Sequence, residues 1–180
     1  FTKNINFQNF KTKKKIKLKL KNKFLSILKN ENQVINSLTN KYTNCYSKKF
    51  VNKYKNSANF RIIGIGGSSL GTQAIYKFFK NKIKRNFTFI DNLGAFKKKS
   101  KNKSFTNLIV SKSGNTIETI VNANIYIKKK DKNIFLTENK TNELYILAKK
   151  LKSEIIHHNN FIGGRYSVLS EVGMLPAELM

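Results

Sequence analysis

The stretch FRIIGIGGSSLG, residues Phe60–Gly71, decides the fold. It begins with the apolar side chains of a short strand, Ile62 to Ile65, and continues through a loop of glycines and serines into a helix-like run, Thr72 to Phe79. A strand, a tight glycine loop and a helix are the first unit of a parallel α/β sheet. Because such sheets bind ligands at the carboxyl ends of their strands, this loop is a candidate binding site.

Downstream of residue 60, short apolar runs alternate with helical patterns about every 20 to 25 residues, which is typical of parallel βαβ units. We therefore predict an α/β fold in which a parallel, Rossmann-like sheet lies between helices. The lysine-rich stretch Phe96–Lys103 is a loop or a short helix. The predicted strands are Phe60–Ile65, Phe87–Asp91, Asn107–Ser111, Ile134–Thr137 and Glu154–His157, and the predicted helices are Thr72–Asn81, Thr116–Lys128 and Thr141–Leu151.

The region before the sheet, residues 1–57, lacks glycine and proline and is rich in lysine. Apolar residues at helical spacing between Ile16 and Leu28 predict one helix, and a similar pattern predicts a second helix from Gln33 to Tyr46. We interpret both as packing elements with lysines on their solvated faces, and we favour this over a role at a membrane surface. The predicted domain organisation is a helical region at 1–57, a ligand-binding domain at 58–170 and the start of a further segment at 171–180.

The chain of 180 residues carries a formal net charge of +27, with 36 Lys and Arg against 9 Asp and Glu. A basic field attracts nucleic acid, but a composition rich in lysine gives the same total without any such partner. The lysines are dispersed, and the sequence contains no arginine-rich tract, zinc-finger spacing or RNA-binding aromatic signature. We therefore predict no specific nucleic-acid partner.

The sequence also limits cofactors and location. Its single cysteine excludes an internal disulfide and a four-cysteine metal site, and we predict neither a metal nor another cofactor. No apolar run approaches the ~20 residues of a membrane helix. The amino end has lysines without a signal-peptide core. We expect a cytoplasmic protein with no membrane partner.

A second loop, Ser111-Lys112-Ser113-Gly114-Asn115-Thr116, follows the strand Asn107–Ser111 and leads into a helix. The N-terminus of a helix presents unpaired N–H groups and the positive end of its dipole, which together bind phosphate. Ordinary helix capping by Thr116 is the alternative. Three hydroxyls and a lysine in six residues are more than a cap requires, so we favour a phosphate site.

Two other readings of the loops have less support. The glycines of the first loop suggest a dinucleotide fingerprint, and Asp91 lies where a ribose-binding acid would fall, but G-x-G-x-x-G from Gly64 would need glycine where Ser69 stands. His157 and His158 suggest an acid and a base. As neighbours on a strand they point to opposite faces, so they cannot form one paired site.

A third loop carries Gly163-Gly164-Arg165-Tyr166-Ser167. Arg165 is either an ordinary surface arginine or a guanidinium held towards the cleft, where it could stabilise a developing oxyanion. The sequence alone leaves both readings open.

Three segments, taken together and in this order, resemble the phosphoglucose isomerase (glucose-6-phosphate isomerase) family. They are the I-G-I-G-G-S-x-L-G core of the first loop, the stretch Val110–Thr119, and Gly163–Ser170 with its GGRYS motif. The resemblance covers about residues 60–180 and implies a sugar isomerase (SIS) domain. It implies that the first loop lines the sugar, that the second binds the sugar phosphate, and that Arg165 stabilises the enediolate. The implied sugar-lining residues are Gly67 and Ser68, and the implied phosphate-binding residues are Ser111, Lys112, Ser113 and Thr116.

The resemblance also implies that the catalytic machinery extends beyond these residues. The chain starts at Phe1 without a methionine and stops in a helix-like run at Met180, so we expect a fragment. The family's second SIS domain, its catalytic glutamate, its ring-opening histidine and its C-terminal lysine would follow Met180. We expect an aldose–ketose isomerase that is a homodimer when full length and inactive as this fragment. A stand-alone SIS module that binds a sugar phosphate without catalysis is the alternative.

Overall fold

The computed structural model describes residues 18–30, 32–94 and 103–180. Ile16 and most of the stretch Phe96–Lys103 therefore lie outside the described residues. The helices are α1 (Leu18–Lys29), α2 (Gln33–Asn36), α3 (Lys48–Asn52), α4 (Leu70–Phe79), α5 (Ile117–Tyr126), α6 (Glu143–Lys150) and α7 (Glu171–Leu179). The strands are β1 (Asn59–Ile63), β2 (Asn86–Ile90), β3 (Thr106–Val110), β4 (Lys132–Glu138) and β5 (Glu154–His158), and 3-10 turns cover Gly66–Ser68 and Gly164–Leu169.

The five strands form one sheet in the order β2-β1-β3-β4-β5, and every pairing between neighbours is parallel. The predicted α/β fold with a parallel sheet is therefore confirmed. The chain first runs outward from β1 to β2 and then crosses to the other side of β1 to form β3. This reversal lies between β1 and β3, and the carboxyl ends of the strands at such a reversal are where open α/β sheets bind ligands.

Helices cover both faces of the sheet. On one face, side chains such as Phe60, Leu108 and Leu136 form a core with α7, flanked by residues of α3 and α4. On the other face, Ile63, Ile109 and Phe135 pack with α5 and α6. Strands buried on both faces are continuous apolar runs, and all five residues of β3 are buried accordingly.

One charge lies inside the sheet. Arg61 of β1 is 6% exposed and donates hydrogen bonds to Asn107 Oδ1 and to the Tyr126 carbonyl, both at 2.9 Å. Its guanidinium lies 3.7 Å from Asp131 Oδ2 and 3.9 Å from the centre of the Phe105 ring. Burial lowers the pKa of Arg61, and Asp131 opposes that shift. A buried charge needs such partners, so this network fixes the amino-terminal ends of β1 and β3.

The predicted helix from Gln33 to Tyr46 is wrong, because α2 ends at Asn36. Ser37 and Thr39 donate their hydroxyl hydrogens to the carbonyls of Val34 and Asn36, at 2.6 and 2.8 Å. Short hydroxyl side chains that bond nearby backbone compete with the helix, and a cluster of them ends it. The chain then turns towards the sheet, and α3 forms a separate short helix that the sequence did not predict.

The helix predicted before Leu28 is present as α1, but it buries none of its residues. Its apolar side chains remain open, with Leu20 61% and Phe24 60% exposed. The interpretation of α1 as a packing element is therefore wrong for the described part of the chain. Within residues 18–30, 32–94 and 103–180, no helix combines the length and apolar character needed to cross a bilayer.

Candidate functional site

The candidate site lies at the carboxyl edge of the sheet, where β1, β3, β4 and β5 end side by side. The first loop (64–69) follows β1, the second loop (111–116) follows β3, and the third loop (159–170) follows β5. Because these strands are parallel, their following loops all emerge at the same edge. The structure thus brings together the three loops that the sequence singled out.

The first and third loops touch through their backbones. A Cβ atom built on Gly67 would lie 2.3 Å from the Gly164 carbonyl oxygen, so no other residue fits at position 67 without moving the third loop. Ser167 joins the same two residues, since its hydroxyl lies 2.8 Å from the Gly164 oxygen and 3.2 Å from the Gly67 oxygen. Ser68 lies beside this contact and is half-buried.

The second loop is closed by its own hydroxyls. Ser111 is 2% exposed, and its Oγ lies 2.8 Å from Thr116 Oγ1 and accepts the Gly114 N–H at 3.2 Å. Thr116 is the N-cap residue of α5, but its side chain makes no capping hydrogen bond. Capping by the Thr116 hydroxyl is therefore excluded as its role. The hydroxyl is instead held against Ser111, beside the start of α5, and the Ser113 side chain is exposed.

The loop between β4 and α6 supports the second loop. Gly114 has a φ of +70°, and a Cβ atom there would lie 1.9 Å from Asn142 Oδ1. Asn142 is held in turn, because its amide donates to Thr137 Oγ1 at 3.0 Å and its oxygen accepts the Tyr145 N–H at 2.9 Å. Backbone bonds complete the support, including Leu144 N–H to the Gly114 carbonyl at 3.0 Å. The second loop therefore keeps a fixed, left-handed turn at its centre.

Sequence reasoning missed Asn142. An asparagine just before a helix is a recognisable N-cap signal, and Asn142 does cap α6. Its contact with Gly114 joins residues far apart in the chain, and no local pattern shows such a contact.

Lys112 belongs to the second loop, and its side chain reaches the third loop. Its ammonium donates to the Asn160 carbonyl at 2.5 Å and lies 3.6 Å from Glu138 Oε1. Glu138 also pairs with Lys140 at 2.6 Å, and this bond lowers the pKa of the Glu138 carboxyl. The Lys112 ammonium is therefore already bonded to the third loop, and it would have to turn to meet a phosphate.

Arg165 occupies the middle of the third loop and is exposed. Among the described residues its guanidinium has no hydrogen bond or ion pair, which leaves all of its donors available to a ligand. The neighbouring Gly164 is fixed against Gly67, so the backbone that carries Arg165 is anchored while its side chain stays available.

The dinucleotide alternative from the sequence finds little support here. The Asp91 carboxylate accepts a hydrogen bond from Gln73 of α4 at 2.9 Å, so it is already engaged. In the part of the chain that the structure describes, no three His, Cys, Asp or Glu side chains are grouped so that they could hold a metal ion.

The site is thus a set of fixed backbone turns, in which hydroxyls of the second loop lie beside the start of α5 and the third loop carries one exposed guanidinium. Backbone N–H groups and hydroxyls at a helix N-terminus suit a phosphate, and an arginine suits an oxyanion. No pairing of a base with a nucleophile is present among these loop residues.

Comparison with known proteins agrees with this arrangement. A glucose-6-phosphate isomerase from Methanocaldococcus jannaschii is 36% identical in an alignment of 140 positions that covers 69% of this chain and 34% of that protein. A glucose-6-phosphate isomerase from Prochlorococcus marinus is 37% identical in an alignment of 138 positions that covers 66% of this chain and 25% of that protein. The chain thus spans only a quarter to a third of the length of these curated relatives.

A solved structure of a hypothetical protein from Thermus thermophilus resembles the fold with a TM-score of 0.60 at 24% identity, covering 73% of this chain and 36% of that one. At that identity the likeness concerns the fold alone. The family described as phosphoglucose isomerase matches residues 28–180, which include all three loops. The chain therefore belongs to the phosphoglucose isomerase family.

Proposed function

We propose that this chain is part of a glucose-6-phosphate isomerase, which interconverts glucose 6-phosphate and fructose 6-phosphate by moving a proton between C2 and C1 of the open-chain sugar. The observation that carries the proposal is the meeting of three family loops at the carboxyl edge of the sheet. The curated relatives carry that name, but this chain covers only part of their length.

In this proposal the second loop binds the phosphate. The buried Ser111, with Thr116 beside it, and the start of α5 form the centre of the pocket. Ser113 is exposed at its rim, and Lys112 contributes charge after its ammonium turns from the Asn160 carbonyl. A phosphate bound here would be stabilised by the helix dipole and by charge-assisted hydrogen bonds.

The first and third loops act on the sugar. Gly67 and Ser68 line it, and the lack of a side chain at Gly67 lets Gly164, and with it Arg165, approach the first loop closely. Arg165 stabilises the enediolate, the intermediate in which negative charge develops on the sugar oxygens. Its unbonded guanidinium supports this role, because an oxyanion stabiliser must have donors ready for the transition state.

The proton transfer needs a base that these loops do not contain. We propose that the base lies in another part of the full-length protein, that this protein is a cytoplasmic homodimer, and that the 180-residue chain alone has no useful turnover. Positioned proton transfer is typically worth ~10² to 10⁴ in rate, so phosphate binding cannot replace it.

The test is conversion of fructose 6-phosphate by the full-length protein, purified from a host that lacks its own isomerase. Turnover on the order of 10 s⁻¹ would support the proposal. Binding of fructose 6-phosphate without isomerisation would overturn it in favour of a sugar-phosphate binding module. Turnover of that order by the 180-residue chain alone would place the base within these residues and contradict its assignment elsewhere.

A further inference from the structure

Two buried ionisable side chains lie directly beneath the third loop, and the proposed chemistry does not use them. His158, the last residue of β5, is 4% exposed, and Glu171, the first residue of α7, is 0% exposed. His158 Nδ1 lies 2.5 Å from Glu171 Oε1. The pair therefore joins the residue just before the third loop to the residue just after it.

The imidazole also holds the loop from inside. His158 Nε2 lies 3.1 Å from the carbonyl oxygen of Ile162, the residue before the two glycines. The two ring nitrogens of His158 therefore contact two different oxygens, one on the Glu171 carboxyl and one on the backbone of the loop. His158 thus links the start of the third loop to Ile162, just before the Gly163–Gly164 turn, and to Glu171, just after the end of the loop.

Glu171 receives further hydrogen bonds. Tyr42 donates to its Oε2 at 2.6 Å, and the Asn159 N–H donates to its Oε1 at 3.3 Å. Burial acts to raise the pKa of Glu171, but the hydrogen bonds from His158 and Tyr42 outweigh burial and hold it below its ordinary value. The helix dipole also stabilises an acid in the first turn of α7. The hydrogen bonds that Glu171 shares with His158, Tyr42 and Asn159, however, come from outside that helix.

A polar pair buried in this way contributes little to stability compared with apolar side chains of similar size. It does fix geometry, because removing one partner leaves a buried charge without compensation. The same loop is fixed at its far side by Ser167, whose hydroxyl bonds Gly67 and Gly164, and by Ser170, whose hydroxyl bonds the Ser167 carbonyl at 2.7 Å. Between these fixed points the Arg165 side chain is exposed.

We propose that His158 and Glu171 are positioning residues that hold the third loop so that Arg165 faces the first loop. This inference rests on the proposed role of Arg165 in the reaction. Tyr42 extends the same network to the segment after α2, so this segment helps to hold the loop although it lies outside the sheet.

Proteolysis tests the positioning without relying on activity. The chain has three arginines: Arg61 is buried in β1, Arg85 is held by the carbonyls of Leu179 and Lys55, and Arg165 lies in the third loop. An arginine-specific protease therefore reports the opening of the loop at Arg165, while Arg85 reports general loosening. The variants are Glu171→Gln and His158→Gln in the 180-residue chain, with cleavage sites followed by mass spectrometry.

We expect both variants to raise the cleavage rate at Arg165 about tenfold and to leave the rate at Arg85 within twofold, since native-state cleavage follows the population of the locally open form. The control is Tyr46→Phe, which removes a 2.8 Å bond to Glu178 on the same helix away from the loop and should change neither site. An unchanged rate at Arg165, or equal increases at Arg165 and Arg85, would overturn the positioning role.

Kinetics of the full-length protein provide the second readout. Glu171→Gln should lower kcat for fructose 6-phosphate about tenfold and leave KM within twofold, because a misplaced arginine affects the transition state more than phosphate binding. Increased cleavage with unchanged kcat would overturn the link to the reaction. If the unaltered full-length protein shows no isomerase activity, the proposed function fails, while the proteolysis still decides whether the pair holds the loop.

Discussion

The two ends of the sheet differ in how they are built. At the carboxyl edge, the three described loops carry two cations, Lys112 and Arg165, and are fixed by backbone contacts and by buried hydroxyls such as Ser111. The opposite end of the sheet has a cleft of about 640 Å³, here called the amino-edge cleft, which is lined by more cations than these loops carry. Five lysines line it: Lys128, Lys129, Lys132, Lys150 and Lys152.

The acids of the amino-edge cleft are already paired within the protein. Asp131 lies against the buried Arg61, and Glu154 pairs with Lys53 at 2.6 Å. Four of the lysines, Lys129, Lys132, Lys150 and Lys152, are exposed, and a long exposed side chain loses entropy when a ligand orders it. The comparison teaches that many exposed cations differ from a site built on fixed loops. In the described part of the chain, the loops that are fixed by contacts within the protein lie at the carboxyl edge.

The largest effect should come from Arg165. In the full-length protein, Arg165→Ala should lower kcat for fructose 6-phosphate about 10²-fold, the usual loss for one donor to an oxyanion. KM should change little, because the phosphate contacts remain. Steady-state kinetics decide this, with Lys150→Ala in the amino-edge cleft as the control. A change confined to KM would make Arg165 a binding residue.

Gly114 tests how rigidly the second loop is held. Gly114→Ala should reduce the free energy of unfolding by about 1–3 kcal/mol, because alanine resists a φ of +70° and its methyl group would displace Asn142. Urea denaturation measures the loss. The matched control is Gly94→Ala, since a Cβ at Gly94 meets no atom within 4 Å and φ there is not positive. Equal stability of the two variants would contradict the fixed turn.

Thr116→Val tests the phosphate pocket by replacing a hydroxyl with a methyl group of similar size. KM for fructose 6-phosphate should rise about tenfold with kcat nearly unchanged, because a phosphate contact acts in the ground state and the transition state alike. Thr141→Val, at an exposed position before α6, is the control. If KM is the same for both variants, Thr116 does not contact the phosphate.

The Glu171 carboxyl should make stability depend on acid pH. Because its folded-state pKa is below the ordinary value, its contribution is fully present above the unfolded pKa of about 4.3 and is lost as pH falls through the lower folded value. The difference in free energy of unfolding between the protein and Glu171→Gln should therefore shrink below about pH 4.3. Denaturation at several pH values measures it. Glu154→Gln, which removes an exposed pair, should show a much smaller difference, and a difference independent of pH would contradict the argument.

The smallest effect should come from the amino-edge cleft. Lys150→Gln with Lys152→Gln should leave kcat and KM for fructose 6-phosphate within twofold, because neither side chain lies near the three loops. The double variant should adsorb to duplex DNA more weakly than the unaltered protein, and only at low salt. Dispersed charge gives a nonspecific attraction that salt screens. Binding to nucleic acid that survives physiological salt and is lost in the double variant would reverse the comparison and make the amino-edge cleft a site.

The sequence predicts what local patterns encode. The five strands, the three helices that follow β1, β3 and β4, and the loops around Gly67, Ser111 and Arg165 all follow from periodicity, glycine placement and helix starts. The end of α2 was missed because Ser37 and Thr39 end a helix that the apolar pattern alone would continue. The contacts of Asn142 with Gly114 and of Glu171 with His158 could not be predicted, since each depends on which loops the finished sheet brings together.

The contact between Gly67 and Gly164 has a consequence for how the protein is made. The bond from Ser167 to Gly67 spans 100 residues, so it closes one of the longer loops of the fold. Contacts of such separation cost more loop-closure entropy and form after local structure. During synthesis β1 and its glycine loop are made before β3, β4 and β5. The first loop can contact the third loop only after the third loop, which follows β5, has been made. We therefore expect the contact between Gly67 and Gly164 to form late in folding, after the local structure of the first and third loops.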